Sequence, residues 1–324
     1  MANDRCWCGS GSKHKRCHSD ARALRRPAVT LGQVSPVRPV PGNIARPDYV
    51  VDGKLPAGRS LQIQSPDGLA RMRHAGAVAA EVLTRACAAA APGVTTDELD
   101  AVAHATYVEL GAYPSTLGYH GFPKSICTSV NGVLCHGIPD DRPLADGDIV
   151  NIDVTAFVDG VHGDTSAMVC VGAVSPVLRD LVETTREATL RGIAAIRPGQ
   201  PLQWVAEAIE PFARSRGYGV VREYGGHGIG TTFHAAPHVH HHIVRSDHVV
   251  VWPGMTFTVE PMLTTGTTRF VTAPDGWTEV MADHLPTAQF EHTVVVTESG
   301  AEVLTLTETG ESPAGTLADL PAGR

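Results

Sequence analysis

An α+β fold built as two pseudo-symmetric βα halves is predicted by an internal repeat and by a short hairpin. The stretch APGVTTDELDAVAHATYVELGAY, from Ala91, is echoed by RPGQPLQWVAEAIEPFARSRGYG, from Arg197. Pro92-Gly93 matches Pro198-Gly199 and Gly111 matches Gly217 at one constant offset. A helical pattern precedes each Pro-Gly break (66–90 and 176–196), a second helical pattern follows it, and strand-like runs follow each pair. Two such units pack around a shared core and can place a site between them. The hairpin is NIDVTAFVDGVHGDTS, Asn151 to Ser166, where period-two alternation flanks the Asp159-Gly160 turn signal.

In that hairpin Val158 faces Val161 and Thr155 faces Asp164. Asp153 and Asp164 then lie diagonally on one face, with Cα atoms about 7–8 Å apart. Ile152, Val154, Ala156 and Val158 line the other face and can enter a core. Converging carboxylates repel unless one is protonated, a base pairs them, or a cation sits between them. A polar, solvated hairpin face is the alternative, and further ligands on neighbouring strands decide against it. EYGGHGIGTTFHAAP offers His227 and His234 among Gly225, Gly226, Gly228 and Gly230, glycines that let backbone approach a ligand closely. PGMTFTVEPML places Glu260 at the end of an apolar strand, AQFEHTVVVT places Glu291 within another, and VLCHGIP carries His136. Singly, each glutamate reads as a salt-bridged core carboxylate. Together, four carboxylates and a glycine-flanked histidine suit two divalent ions such as Mn, Fe, Co or Zn, and indicate hydrolysis.

The 324 residues suffice for one large domain or two small ones, and the formal charge of −8 gives no basic footprint for nucleic acid. No apolar run is long enough to span a membrane and no signal-peptide pattern opens the chain, so a cytoplasmic enzyme is expected. Seven cysteines then suggest thiols or metal ligands rather than disulfides. Cys6, Cys8, Cys17 and His18 form a short four-ligand set in residues 1–20, which predicts a structural zinc; a flexible thiol-bearing tail is the alternative. Residues 21–60 are proline-rich and read as an extended linker, 61–307 as the catalytic domain, and 308–324 as a flexible tail.

Several motifs make the chain resemble the type I methionine aminopeptidases from about Ser65 to Thr307. They are LGYHGFPKSICTSVNGVLCHGIPDD, NIDVTAFVDGVHGDTS, GGHGIGTTFH, TFTVEPML, DGWT and AQFEHT, all in family order. The resemblance implies the pita-bread fold around a dinuclear metal centre. It also implies removal of the initiator methionine from nascent chains when the next residue is small, by a metal-activated water. On this reading Asp153 chelates one ion, Asp164 and Glu291 bridge the pair, and His227 and Glu260 complete the second ion. Glu260 also acts as general base. His136 would contact the scissile amide, and His234 the substrate carbonyl and the tetrahedral oxyanion. Tyr119, His120, Phe122, Cys127, Phe233 and Trp277 would form the methionine pocket, although their bland reading is core packing. Asn131 and Val133 match a loop that holds a monovalent cation in some relatives. Where relatives often carry an acidic residue after His234, this chain has Ala235-Ala236, then His238 and His240-His241-His242. That run reads as a peripheral difference leaving the metal set untouched.

The N-terminal set resembles the SEC-C motif. With Lys13, Lys15 and Arg16 beside it, it suggests docking on the ribosome. A monomer is expected. Two other readings are a related peptidase acting on proline-containing peptides and a non-catalytic peptide-binding or ribosome-associated module. The intact ligand set stands against the second, and the Tyr119, Phe122, Cys127 and Trp277 contexts against the first.

Overall fold

The computed structural model describes residues 28–54, 58–246 and 248–321, together with Lys13. The Cys6, Cys8, Cys17 and His18 set lies outside the described residues.

Four main helices, α1 (Pro66–Ala89), α2 (Thr96–Glu109), α3 (Pro176–Ala194) and α4 (Trp204–Ser215), pack as two pairs, α1 on α2 and α3 on α4. Both halves open their first helix in the same way. Ser65 and Ser175 each accept a backbone N–H of the first turn, and Pro66 and Pro176 follow where a missing N–H costs nothing. Thr95 and Glu98 close α2 with a reciprocal capping box.

The site rests on a nine-stranded antiparallel sheet. Its strands are β1 (Tyr113–Pro114), β2 (Cys127–Val130), β3 (Ile149–Val158), β4 (Val161–Cys170), β5 (Gly226–Gly228), β6 (Ala235–Val239), β7 (Thr256–Val259), β8 (Glu291–Val296) and β9 (Ala301–Val303). The order is β1-β3-β4-β8-β7-β5-β6, with β2 paired to β3 and β9 to β8. Strands from both halves therefore meet at the β4–β8 seam. The predicted hairpin register holds: Val158 pairs with Val161 and Thr155 with Asp164. Asp159 and Gly160 have φ of 54° and 77°, the left-handed pair that a two-residue hairpin turn requires. Ile152, Val154 and Ala156 are fully buried, and burial of an aliphatic side chain such as Val or Ile is worth about 1.5–3 kcal/mol. Helix α1 packs on β3 and β4. A Cβ on Gly163 would sit 2.6 Å from Ala75 and Gly76 backbone, so only glycine admits this crossing beside Asp164.

Two expectations are corrected. The proline-rich segment is not a free spacer, because residues 28–54 run as a strap bonded to the domain. Gly32 N–H donates to Asp140 Oδ2 (2.7 Å), and Arg38 pairs with Asp97 (2.8 Å). The buried Lys124 ammonium donates to Ser35 Oγ at 2.6 Å, while Ile44 and Tyr49 are themselves buried. A buried ammonium must find partners, and the extended strap supplies one. Residues 308–321 are likewise not a frayed tail. Ala314 is fully buried, His292 Nε2 donates to the Gly315 carbonyl at 2.9 Å, and Arg186 pairs with Asp319. Among the described residues no helix is long and apolar enough to cross a membrane.

Candidate metal centre

Five side chains distant in sequence converge where β3, β4, β8, β7 and β5 meet. Asp153 on β3 pairs with Ser166 on β4, and Ser166 pairs with Glu291 at the start of β8. The carboxylates of Asp153 and Glu291 thus belong to one row across three strands, with Asp164 two residues away on β4. Glu260 follows the last residue of β7, and His227 is the centre of β5. The ligand atoms of Asp164, His227 and Glu291 all lie within 4.8 Å of one another. His227 Nε2 is 3.6 Å from both Asp164 Oδ2 and Glu260 Oε1.

The neighbours fix these groups without neutralising them. His227 Nδ1 donates to the Gly228 carbonyl (3.2 Å), which leaves the Nε2 lone pair towards the carboxylates. Thr155 donates to Asp164 Oδ1 (2.7 Å) and Thr258 to Glu260 Oε1 (2.7 Å), while Gln289 Nε2 donates to Glu260 Oε2 (3.1 Å). Thr258 Oγ1 also accepts the His227 N–H, tying two candidate ligands to one hydroxyl. Burial first, then the Asp164 charge, holds Asp153 and Glu291 well above the ordinary carboxylate range. Burial raises Glu260 to about 7, against the opposing pull of His227 and Thr258. Burial works against a charged His227, but Asp164 and Glu260 outweigh it and raise its pKa.

These groups floor a cavity of about 250 Å³. Its lining includes every residue predicted for catalysis, metal and substrate: Tyr119, His120, Phe122, Cys127, His136, Asp153, Asp164, His227, Phe233, His234, Glu260, Trp277 and Glu291. Phe122 meets Trp277 edge-on at 5.1 Å, and Tyr119 stacks on His234 at 5.1 Å with its hydroxyl 3.0 Å from Nδ1. Desolvation inside the cleft holds the His136 pKa near 4 and, with the neighbouring His227 charge, holds His234 well below 6.5. Both rings are therefore neutral at pH 7. Asn131 is employed structurally: its side chain donates to Asp148 and its carbonyl accepts the Thr287 N–H. Val133 pairs with Val280.

Other expectations change. Gly226 and Gly228, the glycines that flank His227, admit protein backbone rather than a ligand, while Gly225 lines the cavity. A Cβ on Gly226 would lie 2.1 Å from the Thr258 carbonyl, and one on Gly228 1.9 Å from that of Ala236. They let β5 squeeze between β6 and β7. The histidine run is not wholly peripheral, because His241 is 1 % exposed and its Nε2 accepts the Glu260 backbone N–H at 3.1 Å. Sequence reading also missed Thr258, Gln289, Thr116, Thr155, Cys135, Tyr224 and Met262 on or beneath the lining. Of these, Thr155 could have been found, since the hairpin register places it opposite Asp164.

The chemistry of the donor set fits divalent metal. Four carboxylates and an imidazole share the lining with neither lysine nor arginine, and a divalent cation is what lets such groups ionise together.

Residues 70–298 match the model of metallopeptidase family M24, and residues 3–20 match the SEC-C motif. The chain belongs to metallopeptidase family M24. Methionine aminopeptidase 2 of Mycobacterium tuberculosis is 52% identical over 280 residues, 86% of this chain and 98% of the relative. The chloroplastic methionine aminopeptidase 1B of Arabidopsis thaliana is 46% identical over 295 residues, 90% of this chain and 79% of the relative. The crystal structure of the Rickettsia prowazekii methionine aminopeptidase superposes with a TM-score of 0.74 at 44% identity, covering 76% of this chain and all of that one. The fold is the pita-bread fold, and the chain is homologous to methionine aminopeptidases over most of its length.

Proposed function

We propose that this chain removes the N-terminal methionine from polypeptides whose second residue is small, using two divalent ions of Mn, Fe, Co or Zn. The observation that carries this reading is the single cavity in which the carboxylate–imidazole set adjoins an aromatic, thiol-bearing wall. Asp153, Asp164, His227, Glu260 and Glu291 would hold the ions, Asp164, His227 and Glu291 forming the tightest group of donors. Bound there, the ions would supply a low-pKa water and polarise the substrate carbonyl.

The chain's own groups do the rest. Glu260, held at both carboxylate oxygens by Thr258 and Gln289, is the group that would take up the proton of the attacking water. Neutral His136 and His234 offer N–H donors to the scissile amide and to the developing oxyanion without adding charge to the cleft. Tyr119, Phe122, Phe233, Trp277 and the Cys127 thiol contact the methionine thioether, which favours ring edges and soft neighbours. The cavity of about 250 Å³ has room for one such side chain.

Turnover of a Met-Ala-Ser peptide tests the reading. We expect chelation to reduce it to background and Mn, Fe, Co or Zn to restore it. Turnover unaffected by exhaustive chelation would refute the metal assignment.

The SEC-C segment, with Cys6, Cys8, Cys17 and His18 as zinc ligands and Lys13, Lys15 and Arg16 nearby, fits docking on the ribosome in the cytoplasm. Deleting residues 2–20 spares the strap, whereas a longer deletion would also remove Arg38 and Ile44 from the domain. The deletion is expected to lower co-sedimentation with ribosomes and to leave peptide turnover intact. Unchanged co-sedimentation would rule docking out.

A further inference from the structure

We infer that Tyr49, on the N-terminal strap, is a positioning residue for the catalytic cleft, holding the Tyr119 ring and, through it, His234. The inference rests on the aminopeptidase reading of the site. Tyr49 lies outside the segment that matches the family, residues 70–298. It sits on the helical turn Asp48–Val51 and is 7 % exposed. Its ring meets Tyr119 edge-on at 5.1 Å and lies parallel to His162 at 6.3 Å.

Two aromatic paths run from Tyr49 to the cleft wall. Tyr119 stacks on His234 and shares a hydrogen bond with it, while His162 stacks on Phe233 at 5.3 Å with an interplanar angle of 13°. The Tyr49 hydroxyl donates to the Ser115 carbonyl. Ser115 in turn bonds His162 Nδ1 through its hydroxyl (2.9 Å) and donates its N–H to Thr155, whose side chain holds Asp164.

The loop carrying Tyr119 needs such support. Gly118, His120 and Gly121 all have positive φ, at 82°, 47° and 83°. A segment with so many left-handed residues has little conformational preference of its own. The strap's turn covers it, with Val50 3.7 Å from where a Gly118 Cβ would stand. Val40, Ile44 and Val50 anchor that turn on Tyr113, Leu117 and Phe157. The ring of Tyr49 therefore decides where the ring of Tyr119 rests.

The test uses the full chain with its activating metal. Tyr49→Leu keeps apolar bulk at the strap and removes the ring, and Tyr49→Phe keeps the ring. We expect kcat/KM for Met-Ala-Ser to fall about tenfold in Tyr49→Leu and to stay within about twofold in Tyr49→Phe. In a Tyr119→Ala background, where only the His162–Phe233 path is left, Tyr49→Leu should cost at most about a third of its effect in the native chain, because coupled residues are non-additive. Equal losses in the two backgrounds, or no loss in Tyr49→Leu, would overturn the inference. If leucine unseats the strap, Tyr49→Met, longer and more adaptable, is read by the same two criteria. A native chain inactive on every methionyl peptide would sink the aminopeptidase reading, and this inference with it.

Discussion

Replacing Glu260 by glutamine should reduce turnover of Met-Ala-Ser by about a thousandfold or more, within the range set by losing a general base and a metal ligand together. The substitution preserves shape. Thr258 still donates to the amide oxygen, Gln289 can turn its unpartnered Oε1 to accept from the new amide, and the backbone N–H still reaches His241 Nε2. It also removes one charge from a lining with four carboxylates and no lysine or arginine. The metal-free variant should therefore melt no lower than the native chain, which separates a chemical loss from a folding loss. Thermal unfolding with excess chelator, beside peptide kinetics, reads both. Glutamine at 260 with near-native kcat would remove Glu260 from the mechanism and leave the chain open to a binding role.

The second large effect concerns metal and pH together. In the metal-free chain Asp153 and Glu291 are held well above the ordinary carboxylate range by burial and the Asp164 charge, and Glu260 is raised from 4.5 to about 7. At these three carboxylates the folded state binds more protons than the unfolded state above about pH 4.5, so their contribution to the stability of the metal-free chain falls as pH rises through 7, while the buried histidines, lowered by burial, act in the opposite sense only below about pH 6.5. The Glu260 shift alone corresponds to roughly 3 kcal/mol. Divalent ions compete with those protons and reverse the trend, since binding to the folded state alone contributes about 4 kcal/mol at a thousandfold excess over Kd. The difference in melting temperature between manganese-loaded and chelated protein should accordingly be larger at pH 7.5 than at pH 5. Equal differences at the two values would mean that these carboxylates do not bind the ion.

The parts of this site that were legible in the sequence are those set by local rules. The Asp-Gly turn fixes the hairpin register to the residue, and with it the shared face of Asp153 and Asp164. The repeated helix–Pro-Gly–helix pattern marks the two halves. Glu260 and Glu291 stood out because an apolar strand rarely carries an idle carboxylate. What was not legible depends on contacts distant along the chain. No periodicity ties the strap to Asp97 and Lys124, because an extended proline-rich segment takes its course from the surface it crosses. His241 is hidden in a run of similar residues, and only the fold distinguishes the one whose Nε2 meets Glu260. The glycines near His227 were visible as close-approach positions, but sequence cannot say whether ligand or backbone makes the approach.

The bond between His292 and the Gly315 carbonyl makes the C-terminal segment a clasp behind the metal-binding strand. His292 follows Glu291 directly, and its other ring nitrogen accepts from Thr305 (2.7 Å). Both partners follow in sequence the strand they secure, so residues 305–315 hold in place from behind the strand that carries Glu291.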